Sequence, residues 1–150
     1  MAQGEYVSPE RLENIYVAHP GIATLLVHGD SQQTCLVSII GVDPEPFAAW
    51  AAKVVRRPIS PTEIDAVFND KAIKRQMLKD LERLAEKKKL QGFEKIKAVY
   101  IATEPFTVEN DLLTPTLKLK RNEAAKAFRK EIDALYKTIN DEAGKVKAKL

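Results

Sequence analysis

The chain has 150 residues, 45% hydrophobic and 30% charged, with 24 basic against 21 acidic side chains and a net charge of +3. That length suits one domain with a real core, and the charge is too near neutral to argue by itself for nucleic acid. One cysteine, Cys35, excludes an internal disulfide and fits a reducing compartment; no apolar run is long enough to cross a bilayer, the N-terminus lacks the basic-then-apolar pattern of a signal peptide, and no Walker or dinucleotide glycine fingerprint occurs.

The first predicted helix opens at Ser8-Pro9-Glu10, with Ser8 as N-cap, Pro9 in the first helical position and Glu10 favourable to the dipole. Leu12, Ile15 and Tyr16 share its apolar face, and His19-Pro20-Gly21 ends it. Residues 22–28 and 34–40 read as strands, joined through Gly29-Asp30-Ser31 into an antiparallel hairpin, with Gly41 closing the second. Cys35 reads as a small apolar filler. His19 and His28 are the only histidines; no acidic or thiol partners are evident, so both read as structural or surface groups and no metal site is expected.

Asp43-Pro44-Glu45-Pro46 opens a helix that places Phe47, Trp50, Ala51 and Val54 on one stripe and stops at Arg56-Arg57-Pro58. Ser60-Pro61-Thr62-Glu63 reads as a capping box. Asp70 is the expected cap of the longest helix, striped by Ile73, Met77, Leu81 and Leu84. Lys87, Lys88 and Lys89 suit the C-terminal end of its dipole, and Gly92 reads as its stop. Residues 96–102 form a third predicted strand. A last helix begins at about Asn122, with Ala125, Phe128, Ile132, Leu135 and Ile139 on one face, Tyr136 at the edge, and a flexible tail over 140–150. The order predicts a single α+β domain over 1–150: a small three-stranded sheet, an antiparallel hairpin plus a third strand, packed against several helices.

Residues 107–121 join the third strand to the last helix and are too long for a tight turn, as functional loops often are. Pro115 makes Thr114 extended. Alternation along an extended segment predicts Lys118 and Lys120 on one side, with Leu117 and Leu119 facing the body.

The run 106–121 resembles the C-terminal signature of eukaryotic-type long-chain fatty-acid–CoA ligases, members of the adenylate-forming superfamily. The block from Gly4-Glu5-Tyr6-Val7-Ser8-Pro9-Glu10 to Tyr16 resembles the same family, in the right order along the chain. The resemblance implies a mobile C-terminal lid domain of a larger enzyme. That enzyme joins a fatty acid to ATP as an acyl-adenylate and passes the acyl group to coenzyme A. Lys118 matches the adenylation lysine, and Gly4, Glu5 and Tyr6 match a loop along the coenzyme A channel. Lys120 and Arg121 raise the positive potential beside Lys118, with two roles open to them, orienting phosphates or contacting the partner domain; Glu109 and Asn110 are expected to brace the loop by hydrogen bonds to its backbone.

The resemblance also implies ATP with Mg2+ and coenzyme A in the full enzyme, at sites mostly in a larger N-terminal domain that is this chain's partner in one polypeptide. No cofactor is expected on the isolated domain, which is expected to be inactive alone. Two departures stand out: Leu117 precedes Lys118 where the wider superfamily has glycine, and Asp111 follows Asn110 where this branch often has glycine. The pivot expected upstream of Gly4 is missing, so a domain of a longer enzyme is expected. Ala148-Lys149-Leu150 is close to a peroxisomal address and implies an import receptor as partner and a peroxisomal location, otherwise a cytoplasmic or membrane-associated one.

Two other readings are open on the sequence. One is a non-catalytic basic module that binds RNA or anionic lipid through Lys87, Lys88, Lys89 and residues 118–121; the sparse aromatics argue against single-stranded nucleic acid. The other is a related ligase acting on a different acid.

Overall fold

The computed structural model describes residues 7–30, 33 and 35–149. Three strands form one sheet: β1 (Ile22–His28), β2 (Leu36–Val42) and β3 (Ile96–Ile101), in the order β1-β2-β3. β1 pairs with β2 antiparallel, Leu26 opposite Ile39; β3 pairs with β2 parallel, Tyr100 opposite Ile39. A parallel partner needs a crossover. Here it is supplied by α2 (Pro44–Val55), a 3-10 segment (Pro61–Val67) and α3 (Lys71–Lys87).

The central strand explains its own sequence. Leu36 to Gly41 are buried on both faces, so they read as a continuous apolar run instead of an alternating one. Leu25, Val27, Leu36, Ile40, Val99 and Ile101 face one way, against α1 (Pro9–Tyr16), α2 and α3. Leu26, Val37, Ile39 and Ala102 face the other way, against α4 (Arg121–Ala127), α5 (Arg129–Lys149) and the loop that precedes α4. Each fully buried Leu or Ile in these layers contributes about 1.5–3 kcal/mol, so the two layers hold the loop and α1 rigidly on opposite sides of one sheet edge. Ser38, fully buried among the first set, has no partner for its hydroxyl among the described residues.

The helix starts follow their caps. Ser8 accepts from the Arg11 amide at 3.4 Å, and Asp70 accepts from Ala72 at 2.8 Å and Ile73 at 3.2 Å. Arg56 closes α2 in the left-handed region, φ 58°, where glycine is usual.

Several boundaries differ from the sequence expectation. β2 begins at Leu36 and runs through Gly41 to Val42, because that glycine makes room for the Phe106 ring: a Cβ there would lie 2.9 Å from Phe106 Cδ1. Ser60 binds the Thr62 amide, at 3.3 Å, and heads a 3-10 segment instead of a boxed α-helix. The reversal after α3 is made by Lys89 at φ 56°, while Gly92 opens a short 3-10 turn. Ala85 completes the α3 stripe and Leu84 is only half-buried.

α5, with 21 residues against 17 in α3, is the longest helix and stays helical to Lys149. The expected single last helix breaks at Phe128. Tyr136 lies at the centre of the buried face, not its edge, because its hydroxyl has carbonyl partners there: Cys35 O at 2.8 Å and His28 O at 3.2 Å.

Candidate functional site

The loop between β3 and α4 is built from local hydrogen bonds and two apolar anchors. Phe106 lies over Gly41 and stacks on Phe128, ring centroids 5.5 Å apart. Asn110 then organises the turn. Its Oδ1 accepts from Thr107 N at 3.0 Å and Leu112 N at 3.3 Å, and its Nδ2 donates to Pro105 O at 2.9 Å. Asp111 takes φ 65°, the left-handed geometry that a short polar side chain tolerates. Leu112 and Leu113 follow into the buried layer against α5.

Residues 113–119 form a tight hairpin instead of an extended run. Leu113 and Leu119 make an antiparallel bridge, Leu117 N donates to Thr114 O at 2.7 Å, and Thr114 N donates to Lys118 O at 2.8 Å. A three-residue hairpin loop closes with a left-handed residue, and that residue is Leu117, at φ 65°. The turn breaks the expected alternation. Leu117 points outward, 69% exposed, and only Leu119 of the two leucines packs inward. Lys118 amide donates to Thr114 Oγ1 at 3.1 Å, which fixes the backbone beneath its side chain.

The three cations of the motif have different environments. Lys118 is exposed, and among the described residues it pairs with no carboxylate. Lys120 is bound to Asp111, whose hydrogen bond holds its pKa above the ordinary value. Arg121, the first residue of α4, grips the carboxylate of Glu13 on α1 with both terminal nitrogens, Nη2 to Oε1 at 2.6 Å. That hydrogen bond raises the Arg121 pKa against the opposing effect of burial. Glu13 Oε2 also accepts from Val27 N at 2.8 Å. Lys118, Arg121 and Glu13, with Glu10 and Val17, line an open groove of about 570 Å³.

Asn110 braces the loop as expected. Glu109 is exposed and makes no hydrogen bond among the described residues. Gly4, Glu5 and Tyr6 lie outside the described residues, and so does Leu150 of the terminal tripeptide.

Each histidine sits against an aspartate that the sequence did not reveal. His19 Nε2 is 2.9 Å from Asp80 Oδ2 and His28 Nε2 is 2.6 Å from Asp30 Oδ1. Neither pair is joined by a further ligand, and no group of three metal-ligating side chains occurs among the described residues. Burial pushes the His19 pKa down despite the pull of Asp80. The Arg129 hydrogen bond holds Asp30 down at about 2.

Sequence reasoning missed the Glu13–Arg121 pair and the Gly41–Phe106 contact. One signal for the first was present: Glu13 is a carboxylate beside Leu12 on the apolar face of α1.

This arrangement offers an outward ammonium on a fixed backbone, at the rim of an open groove. It suits an anion presented by another surface.

No protein-family model matches the chain. It is 52% identical, over its full length, to an acyl-CoA ligase named as peroxisomal from Penicillium roqueforti, and it covers 22% of that protein. It is 46% identical to human long-chain-fatty-acid–CoA ligase 6 over 91% of the chain and 19% of the ligase. Among solved structures, 99% of the chain superposes on 18% of an adenylation and carrier didomain of a carboxylic acid reductase from Segniliparus rugosus, in complex with AMP, with a TM-score of 0.76 and 26% identity. The chain thus spans about a fifth of the length of the curated relatives it matches.

Proposed function

We propose that this chain, which is a counterpart of the C-terminal part of AMP-forming long-chain acyl-CoA ligases, works as the lid of such an enzyme and supplies Lys118 to its adenylation step. The carrying observation is the outward Lys118, which among the described residues pairs with no carboxylate, on a hairpin braced at both ends.

In the first half-reaction a fatty-acid carboxylate oxygen bonds to the α-phosphorus of ATP and pyrophosphate leaves. Two anions approach, so a preorganised cation at the meeting point lowers the barrier. A lysine is a compact point charge on a long stem and reaches into a cleft formed by another domain. In the second half-reaction the coenzyme A sulfur bonds to the acyl carbon and AMP leaves. ATP would bring the electrophilic phosphorus, coenzyme A the thiol, and Mg2+ would offset the phosphate charge, at sites mostly in the larger domain. On this reading the segment at Gly4, Glu5 and Tyr6 runs along the thiol's channel, where glycine allows close backbone approach. The long-chain acid as substrate and a peroxisomal location belong to the same reading, supported by the names of the relatives.

The alternative of a basic binding surface is weakened at residues 118–121. Lys120 and Arg121 are paired with Asp111 and Glu13, so among the described residues Lys118 is the one cation of this stretch without a carboxylate partner.

The test is Lys118→Ala in the full-length enzyme. Adenylation is expected to slow by about a hundredfold or more, while thioester formation from supplied acyl-adenylate is retained. Adenylation at the parent rate rejects the assignment.

A further inference from the structure

Lys118 has to be delivered to a fixed point, and its hairpin is short and exposed. Whatever sets its position must act through the ends of that hairpin. One end is secured by Asn110 and by Lys120 N donating to Leu112 O at 2.8 Å. The other end is Arg121, three residues after Lys118.

We infer that Glu13 and Arg121 are a positioning pair that sets Lys118 for adenylation, with Arg121 acting through the loop backbone and not on the nucleotide. The inference rests on the assignment of Lys118 to that step.

Three observations carry it. Both terminal nitrogens of Arg121 are committed to Glu13, so the guanidinium face best suited to grip a phosphate is already used. The Glu13 side chain is only 10% exposed, and its Oε2 also holds the Val27 amide of β1. The pair therefore ties the first turn of α4 to α1 and to the sheet together. Finally, Glu13 and Arg121 line the same groove as Lys118, and Arg121 follows that lysine by three residues of backbone. A planar fork on a carboxylate fixes direction as well as distance, which a single ammonium contact does not.

The experiment uses the full-length enzyme with Glu13→Gln, Arg121→Lys, Lys118→Ala, and each of the first two combined with the third. Glu13→Gln keeps the shape and the acceptor for Val27 N while removing the charge. Pyrophosphate release reports adenylation, and thioester formation from preformed acyl-adenylate reports the second half-reaction and the integrity of the fold. Glu13→Gln and Arg121→Lys are each expected to lower kcat for adenylation by about ten- to a hundredfold through misplacement. The KM for ATP should stay where it was, and the second half-reaction should be spared. In the Lys118→Ala background neither should cost anything more, since both act through the same ammonium.

Equal loss of both half-reactions in Glu13→Gln and Arg121→Lys overturns the inference and leaves the pair as a staple of the fold. A raised KM for ATP in Arg121→Lys that persists without Lys118 overturns it in favour of direct nucleotide contact. If Lys118→Ala slows adenylation and the pair variants do not, only the positioning role fails. If Lys118→Ala has no effect, the assignment beneath it fails as well.

Discussion

Leu117 carries the clearest local strain near the site. A non-glycine residue in the left-handed region costs about 1–2 kcal/mol, and Leu117 adopts it while burying little of its side chain. Leu117→Gly should therefore raise the urea unfolding midpoint, with a gain of up to about 1 kcal/mol in unfolding free energy after the extra entropy of glycine is subtracted. A lower midpoint would mean that the leucine makes packing contacts that outweigh its backbone.

His19 sets a pH dependence. It is buried beside Trp50, accepts the Gly21 amide at Nδ1 and lies against Asp80, and burial lowers its pKa in the folded chain. The unfolded chain thus binds the proton more readily, and stability rises with pH through this group. Its contribution is complete above the ordinary value of 6.5 and is lost as pH falls toward the depressed folded value. Unfolding measured between pH 7 and pH 5 should show this slope, and His19→Gln should flatten it. Asp30, held at about 2, adds a separate loss only below its ordinary 3.8.

At the scale of elements, the junction of β2 with the loop matters most. Gly41 is the penultimate residue of β2, and glycine inside a strand ordinarily weakens a sheet. Its value here is space: Phe106 Cδ1 and Thr24 Cγ2 stand 2.9 and 3.2 Å from where a Cβ would be. Gly41→Ala should cost about 1–3 kcal/mol by overpacking, and it should loosen the loop, because Phe106 is its first anchor. Thermal unfolding reads the first effect, and amide exchange at Leu112 and Leu113 reads the second. Exchange unchanged at those amides would show that Asn110 and Arg121 hold the loop without Phe106. The break at Phe128 belongs to the same junction, since that ring stacks on Phe106 while α5 turns away to bring Tyr136 over the end of the hairpin.

Across the whole molecule, folding and the proposed chemistry are separable. The core lies in two layers on either side of β2, and Lys118 belongs to neither. Lys118→Ala should leave the unfolding free energy within about 0.5 kcal/mol of the parent while slowing adenylation in the full enzyme by about a hundredfold or more. A large stability change would show that the exposed ammonium has a structural partner.

The sequence by itself determined the parts whose partners lie a few residues away. Ser8, Asp70 and Asn110 were legible because caps and turn braces are hydrogen bonds to the neighbouring backbone. Asp111 was legible because left-handed geometry selects short polar residues. The α+β class followed from periodicity, whereas Lys118 is turned outward by the 113–119 hairpin and not by the alternation expected of an extended run. Tertiary structure alone decided which partner each face meets. It made β3 parallel to β2, brought Arg121 to Glu13 across 108 positions, and seated Phe106 on Gly41. Periodicity records that a side chain is turned inward or outward, but a contact between distant segments depends on how whole layers pack, and no local pattern encodes that.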